Sequence, residues 1–504
     1  MKIKNVIYVL LVVTLLWSCG KDDGPSTPAV TPTSPKFEME GYGFEAKEDI
    51  DDTAVIGTVK ATDTDGDELT YNISENDDNL FKIDKESGEI TLADGKNLDF
   101  ETTDGHTITV TVTDGTNTVK IKVTIAVTNV IESLFEDPAS FITTWTTPSD
   151  NFELQIGITD KLEYDFTIDW GDGTEVENVD ISDSSIFFTH IYETVGTYTV
   201  AIQGDFPAIR MYDANKDSQE ALTSIDQWGS IAWKDMEYAF AHCGKMEYHA
   251  TDAPDLTYVT NMSGMFANAD SFNGDLNDWD VSGVEDISGM FYIAKSFNGN
   301  ISGWNTENVT NMGYLFSGAN SFNGNISDWK TENVTDMSYM FQKATAFNGN
   351  ISGWKTEKVT NMSHIFEEAT AFNGDISGWK TEKVTNMRNM FNEATSFNGD
   401  ISGWKTENVT DMSYMFNKAT SFNQSLGGWN IHSVTKMTGM LDGSGMSSQS
   451  YDETLAGWAG KGSTPDDITF GASGINYCNG GAAKTALLNK GWTITDAGQG
   501  QNCP

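Results

Sequence analysis

Positive charge is scarce in this 504-residue sequence: Lys and Arg total 30 against 74 Asp and Glu, a net charge of −44. Nucleic-acid phosphates and anionic membranes attract the opposite sign, so neither is an electrostatic partner. Histidine is also rare, with six scattered copies. The sequence lacks a nucleophile elbow, a paired-histidine metal motif, a phosphate-cradling glycine loop and a nicotinamide fingerprint. Four cysteines are present, and no pair has zinc spacing. Pairing among 74 carboxylates is inevitable, so it singles out no acid–base couple. These absences point away from an enzyme and leave a hydrolase as the weakest functional alternative.

Long apolar runs are missing as well, apart from Val6 to Leu16, which follows the basic start Met1-Lys2-Ile3-Lys4. That run has signal-peptide length and is too short for a comfortable transmembrane helix. It ends in Leu16-Trp17-Ser18-Cys19, which resembles a bacterial lipobox, and Gly20 to Asp23 resembles the lysine-acidic export signal of bacterial surface lipoproteins. The resemblance implies a signal peptide over 1–18, lipid on Cys19, and a surface-exposed protein anchored to the cell outer membrane. Residues 19–36, rich in Pro, Ser and Thr, read as a flexible tether.

From 37 to 130 the sequence alternates apolar and polar residues between Asp, Gly and Asn turns, the pattern of a β-sandwich. "GTVKATDTDGD", "FKIDKESGEIT", "LDFE" and "VKIKVTIAV" resemble a cadherin-like domain. The resemblance implies calcium ligands at Glu48, Asp99 and Glu101, at Asp63 and Asp65, and at Asp114. Clustered carboxylates suit a hard cation; solvated turn carboxylates are the alternative. The linker that follows is only "VTNV", Val127 to Val130. No resident cofactor other than calcium is expected.

Residues 131–208 carry "WGDG" at Trp170 to Gly173 and "HIYETVGTY" at His190 to Tyr198, which resemble a PKD-type sandwich. Asp169, Asp172, His190 and Tyr192 could suggest a catalytic cluster. A hairpin at Asp172-Gly173 and core aromatics Trp170, Tyr192 and Tyr198 account for them better.

Residues 209–446 repeat. Phe272, Phe297, Phe322, Phe347, Phe372, Phe397 and Phe422 recur every 25 residues, as do Trp279 to Trp429 and Val284 to Val434. A weaker copy, through Met236, Phe240 and Met246, leads them by 26 residues. A unit this short cannot bury its own apolar face, but stacked copies can share a core. Within one unit, Asp336 can cap a helix whose Met337, Met340, Phe341 and Ala344 fall at i, i+3, i+4 and i+7. A short strand is expected in "ISGWKTENV". The wording "SFNGNISDWKTENVTDMSYMF" resembles the BspA-like, leucine-rich-repeat-related surface repeats of bacteria, and 447–504 resembles their capping region. Cys478 and Cys503 are candidates for a disulfide there, and Cys243 reads as buried filler.

The expected fold is therefore multidomain: two β-sandwich domains followed by an α/β repeat solenoid with a C-terminal cap. Phe, Trp and Met at fixed register read as core layers. Binding is better sought where the frame holds while residues change: Gln342-Lys343, Glu367-Glu368, Asn392-Glu393 and Asn417-Lys418, with Lys380-Thr381-Glu382 and its equivalents as a second exposed row. Weak contacts repeated along such rows bind by multiplicity. The leading function is a non-catalytic adhesion or ligand-binding lipoprotein whose partner is an extracellular protein, a cell surface or a polysaccharide. A glycan-capture accessory protein for nutrient uptake and a structural coat are the alternatives.

Overall fold

The computed structural model describes residues 31–76, 79–100, 102–130, 133–182, 184–501 and 503. The lipobox, including Cys19, lies outside the described residues, as does Glu101. The chain forms two compact units, 1–131 and 132–504.

In the first unit the period-2 pattern becomes strands β1 (Lys36–Phe37), β2 (Tyr42–Lys47), β3 (Gly57–Thr58), β4 (Ala61–Thr62), β5 (Thr70–Glu75), β6 (Phe81–Ile83), β7 (Glu89–Leu92), β8 (Gly105–Thr113) and β9 (Thr118–Thr128). One sheet runs β2-β9-β8-β5 and another β3-β7-β6; β1 pairs with β4. The β2–β9 pair is parallel and β8 is antiparallel to β9. Val123, Ile125 and Val127 of β9 turn inward while Lys122, Thr124 and Thr128 face water, so alternation fixes the register. The inward residues meet Ile90 and Leu92 of the smaller sheet in one core.

The second unit starts with β10 (Phe141–Thr146), β11 (Phe152–Gly157), β12 (Tyr164–Asp169), β13 (Glu177–Ile181), β14 (Phe187–Tyr192) and β15 (Thr197–Asp205). The helix α1 (Lys216–Ala221) leads into β16 (Leu222–Gln227), and β17 (Glu247–Tyr248) follows. The main sheet runs β13-β12-β15-β10-β16-β17, and β11 pairs with β14. Because β16 pairs antiparallel with β10 and parallel with β17, this sheet passes straight into the repeats. One apolar core accordingly runs from Phe141 to Trp492.

The repeats correct the expected α/β solenoid. The 336–344 segment is a chain of turns, and "ISGWKTENV" is likewise turns; successive coils touch through single parallel bridges such as Asp336 to Asn361. The reason lies in the backbone N–H groups. In a helix each would bond four residues back. Here Met340 and Ala344 bond three residues back, to Met337 and Phe341, while Tyr339, Phe341 and Lys343 donate to Ser363, Ile365 and Glu367 of the next coil. Identical neighbouring coils always present the same acceptors, so inter-coil pairing displaces the helix. The i, i+3, i+4, i+7 spacing still places Met337, Met340, Phe341 and Ala344 inside.

The apolar rows form the core layers. Phe316 stacks on Phe322 within its coil at 3.7 Å and on Phe341 of the next at 5.7 Å. Trp304 and Trp329 stack at 6.0 Å, and the Trp329 Nε1–H donates to the Ile301 carbonyl at 3.2 Å, so the buried indole is satisfied. Threonine of each Lys-Thr-Glu run is buried too: Thr381 Oγ1 accepts from the Lys405 N–H and donates to the Lys405 carbonyl.

The C-terminal region contains α2 (Ser448–Ala459), β18 (Thr469–Ala472), α3 (Gly481–Leu488) and β19 (Thr493–Asp496), with β18 parallel to β19. Leu441 and Gly443 of the last coil donate to Gly471 and Ser473, so this segment supplies acceptors that a further coil would otherwise provide. Cys478 and Cys503 form a disulfide with a Cα–Cα distance of 5.3 Å. Cys243 is fully buried, and burial pushes its thiol up. Among the described residues, no helix is long and apolar enough to cross a membrane.

Candidate functional site

Each coil turns its chain with two residues in the left-handed region. One row holds Tyr238, Gly264, Gly289, Tyr314, Tyr339, His364, Asn389, Tyr414 and Gly439; the other holds His242, Asn268, Ile293, Gly318, Lys343, Glu368, Glu393, Lys418 and Gly443. Glycine occupies this conformation freely, whereas a side chain costs roughly 1 kcal/mol there. Strain retained at many positions is a pointer to function.

The first row presents rings. Tyr314 stacks on Tyr339 at 4.3 Å and Tyr339 on His364 at 4.1 Å, while Tyr314 and Tyr414 remain 41% and 36% exposed. Burial and the neighbouring Tyr339 push the Tyr314 phenol up to about 12. The Arg388 guanidinium lies 5.7 Å from the Tyr414 ring and that of Arg210 lies 5.2 Å from Tyr238. At Gly264 and Gly289 the row is notched, leaving a cavity of 230 Å³ lined by Tyr238, Tyr292, Tyr314, Ser288 and the glycine backbone.

Beneath the second row is a polar cluster. Glu367 Oε1 accepts from Asn389 and Asn392 Nδ2, both at 2.9 Å; Oε2 accepts from Gln342 Nε2 at 2.6 Å and His364 Nδ1 at 2.8 Å. Burial pushes this carboxyl up, but the hydrogen bonds from His364, Asn392 and Gln342 outweigh it and hold it down at about 2. Asn417 Nδ2 extends the ladder to Asn392 Oδ1 at 2.7 Å.

The eight row residues singled out in the sequence therefore divide by structure. Gln342, Glu367, Asn392 and Asn417 bond to one another along the array. Lys343, Glu368, Glu393 and Lys418 stand outside them, with Lys343–Glu368 and Lys418–Glu393 ion pairs at 3.5 and 2.6 Å. Exposed pairs of this kind contribute little to stability and leave the groups available. The tyrosine row escaped the sequence reading; the signal was glycine at Gly264, Gly289 and Gly439 in the same register as Tyr314, Tyr339 and Tyr414.

In the first unit the acidic residues occupy separate settings. Asp63, Asp65 and Asp67, in the loop after β4, bring carboxylate oxygens within 4.8 Å of one another. Asp63 Oδ1 accepts from the Asp65 N–H at 2.8 Å, while its Oδ2 is buried without a hydrogen-bond partner. Three hard oxygen donors, one of them buried and unsatisfied, fit a divalent cation such as calcium. Asp67 was not anticipated, although the alternating acids of "DTDGD" were its signal. Glu48 is buried and accepts from the N–H groups of Phe100 and Val130. Asp99 accepts from Thr102 N–H and Oγ1, both at 2.8 Å. The Asn117 N–H holds the Asp114 carboxyl below its usual range, with Thr116 adding to it. None of these three belongs to the Asp63 group.

Asp169 and Asp172 of the second sandwich are occupied structurally. His190 Nε2 meets Asp172 Oδ2 at 2.8 Å, its ring stacks on Trp170 at 4.5 Å, and Tyr192 Oη donates to the Trp170 carbonyl at 3.0 Å. Burial raises the Asp172 carboxyl, but Thr174 and His190 outweigh it and hold it low.

Comparison with known proteins divides the chain. Residues 42–129 match the cadherin domain family. Residues 234–354 and 335–454 match a family described as "Mycoplasma protein of unknown function, DUF285". The Fat-like cadherin-related tumor suppressor homolog of Drosophila melanogaster is 27% identical over 175 residues, 33% of this chain and 3% of that protein. Protocadherin-15 of Homo sapiens is 35% identical over 104 residues, 19% of this chain and 5% of that protein. The crystal structure of Drosophila N-cadherin EC1-3 is 29% identical, with a TM-score of 0.19, covering 20% of this chain and 35% of that one. The chain thus spans only 3% and 5% of these curated relatives. The resemblance of the whole to a BspA-like, leucine-rich-repeat-related protein is corrected by these matches, which are to cadherins and, over the repeats, to a different family description.

Proposed function

We propose that the chain is a non-catalytic adhesion or ligand-binding protein displayed outside the cell, with its repeats as the contact surface. The cadherin-domain match over residues 42–129 is the observation that carries this reading. The rows of Lys343, Glu368, Glu393 and Lys418, and of Tyr314, Tyr339 and Tyr414, supply the surface. Each coil offers a similar, modest contact, and stacking multiplies it into avidity. The partner is an extracellular protein, another cell or a polysaccharide.

Lipid on Cys19 would hold the protein at the outer membrane, supplying an attachment that a net charge of −44 denies to electrostatics. Calcium at Asp63, Asp65 and Asp67 would neutralise three adjacent carboxylates and stiffen the loop between β4 and β5. The test is binding of the lipid-free chain to matrix proteins, glycans and intact cells, in calcium and in chelator. Selective, saturable binding is expected; uniform absence of binding across the panel would favour a passive coat.

A further inference from the structure

The notch in the tyrosine row has the form of a sugar subsite. Its sides are the rings of Tyr238 and Tyr314, Tyr292 stands edge-on to Tyr314 at 6.2 Å, and its base is the backbone of Gly264, Gly289 and Gly313. The Tyr238 ring is so close to Gly264 that a Cβ there would sit 2.3 Å from it, so glycine is required for the ring to settle on the backbone. At Gly289 a Cβ would meet nothing nearer than 3.7 Å, and its φ of +58° matches the +59° of Tyr314. A side chain therefore fits at Gly289, as one does in the following coils, and its absence keeps the notch open.

We propose that this notch seats one pyranose ring of a neutral glycan and that the Tyr314–Tyr339–His364 face carries the adjoining residues of the same chain. The proposal rests on the reading of the array as a binding surface and names its ligand class. The volume of 230 Å³ lies below the range of about 300–1,000 Å³ usual for drug-sized ligands, which suits a single ring. Aromatic faces pair with the C–H faces of a sugar, and Ser288 with the exposed glycine backbone offers polar partners for hydroxyls. A net charge of −44 opposes polyanionic glycans, and no Lys or Arg lines the notch. A protein partner would need a broader apolar centre than this single notch of 230 Å³ provides.

The test uses the full chain, titrated with neutral gluco-, manno- and galacto-oligosaccharides and run against the corresponding polysaccharides in affinity electrophoresis. Gly289→Tyr fills the notch and Tyr314→Gly removes a wall while relieving backbone strain; Tyr258→Gly, at an exposed ring outside the notch, is the control. At least one neutral probe should bind saturably, with affinity falling roughly tenfold or more in the first two variants and unchanged in the third, while melting temperatures shift by no more than a few degrees, downward for the strained Gly289→Tyr. Retained affinity in both notch variants would overturn the proposal. So would a chain that binds cells or matrix proteins and no neutral sugar, which would leave the adhesion reading standing. A chain that binds nothing on either panel would overturn both.

Discussion

Replacing Glu367 by Gln tests how the array holds its polar interior. Four donors converge on two carboxylate oxygens: Asn389 and Asn392 on Oε1, Gln342 and His364 on Oε2. An amide of the same shape keeps one acceptor and turns its NH₂ toward two of those donors. Burial alone would raise the carboxyl; the donors hold it instead at about 2, from an ordinary value of 4.5. That difference corresponds to about 3 kcal/mol of stability in the ionised state. Because the folded value is depressed, the contribution is fully present above pH 4.5 and is lost as pH falls through about 2. Glu367→Gln should therefore lower the melting temperature of the second unit by roughly 5 °C at neutral pH, with the gap closing as the solution is acidified toward pH 2. Differential scanning calorimetry across that range, with amide exchange to localise the change to neighbouring coils, reads both. Glu368→Gln, on the exposed side of the same turn, should change little. A melting difference of the same size at every pH would refute the ionic origin of the effect.

Calcium should raise the melting temperature of the first unit, by about 2.7 kcal/mol of stability at a hundredfold excess over its dissociation constant, and Asp63→Asn with Asp65→Asn should abolish the shift in a calcium titration. Trp354→Ala removes an indole that is 2% exposed and should destabilise the repeats by about 3–5 kcal/mol, read as loss of amide protection in adjacent coils. Replacing Cys478 and Cys503 by serine opens a loop with a sequence separation of 25 and should cost the C-terminal region about 3.5 kcal/mol, visible as earlier proteolysis there.

The strands of the sandwiches were legible because alternation has one structural meaning when a single face is buried. "VKIKVTIAV" reads as a strand by its alternation, and in the structure Val123, Ile125 and Val127 turn inward. Core membership in the repeats was equally legible, since Phe, Trp and Met in fixed register must stack. Backbone path was not. Met337, Met340, Phe341 and Ala344 satisfy a helix and a chain of turns alike, and only the inter-coil acceptors decide between them. The same decision hid the tyrosine row, because Tyr339 reads as a helix surface residue until its φ of +60° is known. The acidic cluster of the first unit was half legible: Asp63 and Asp65 came from the cadherin resemblance, while Asp67 joined through the turn that follows.

Amide exchange of the full chain, free and saturated with whichever cell-surface or matrix partner it binds, is the most direct test of where binding occurs. New protection concentrated along residues 238–418, on the notch between Tyr238 and Tyr314 and on the rows of Tyr339, Lys343, Glu368, Glu393 and Lys418, is the predicted result. Protection confined to 42–129, with the repeats unchanged, would contradict the array as the contact surface and move recognition to the cadherin-like domain.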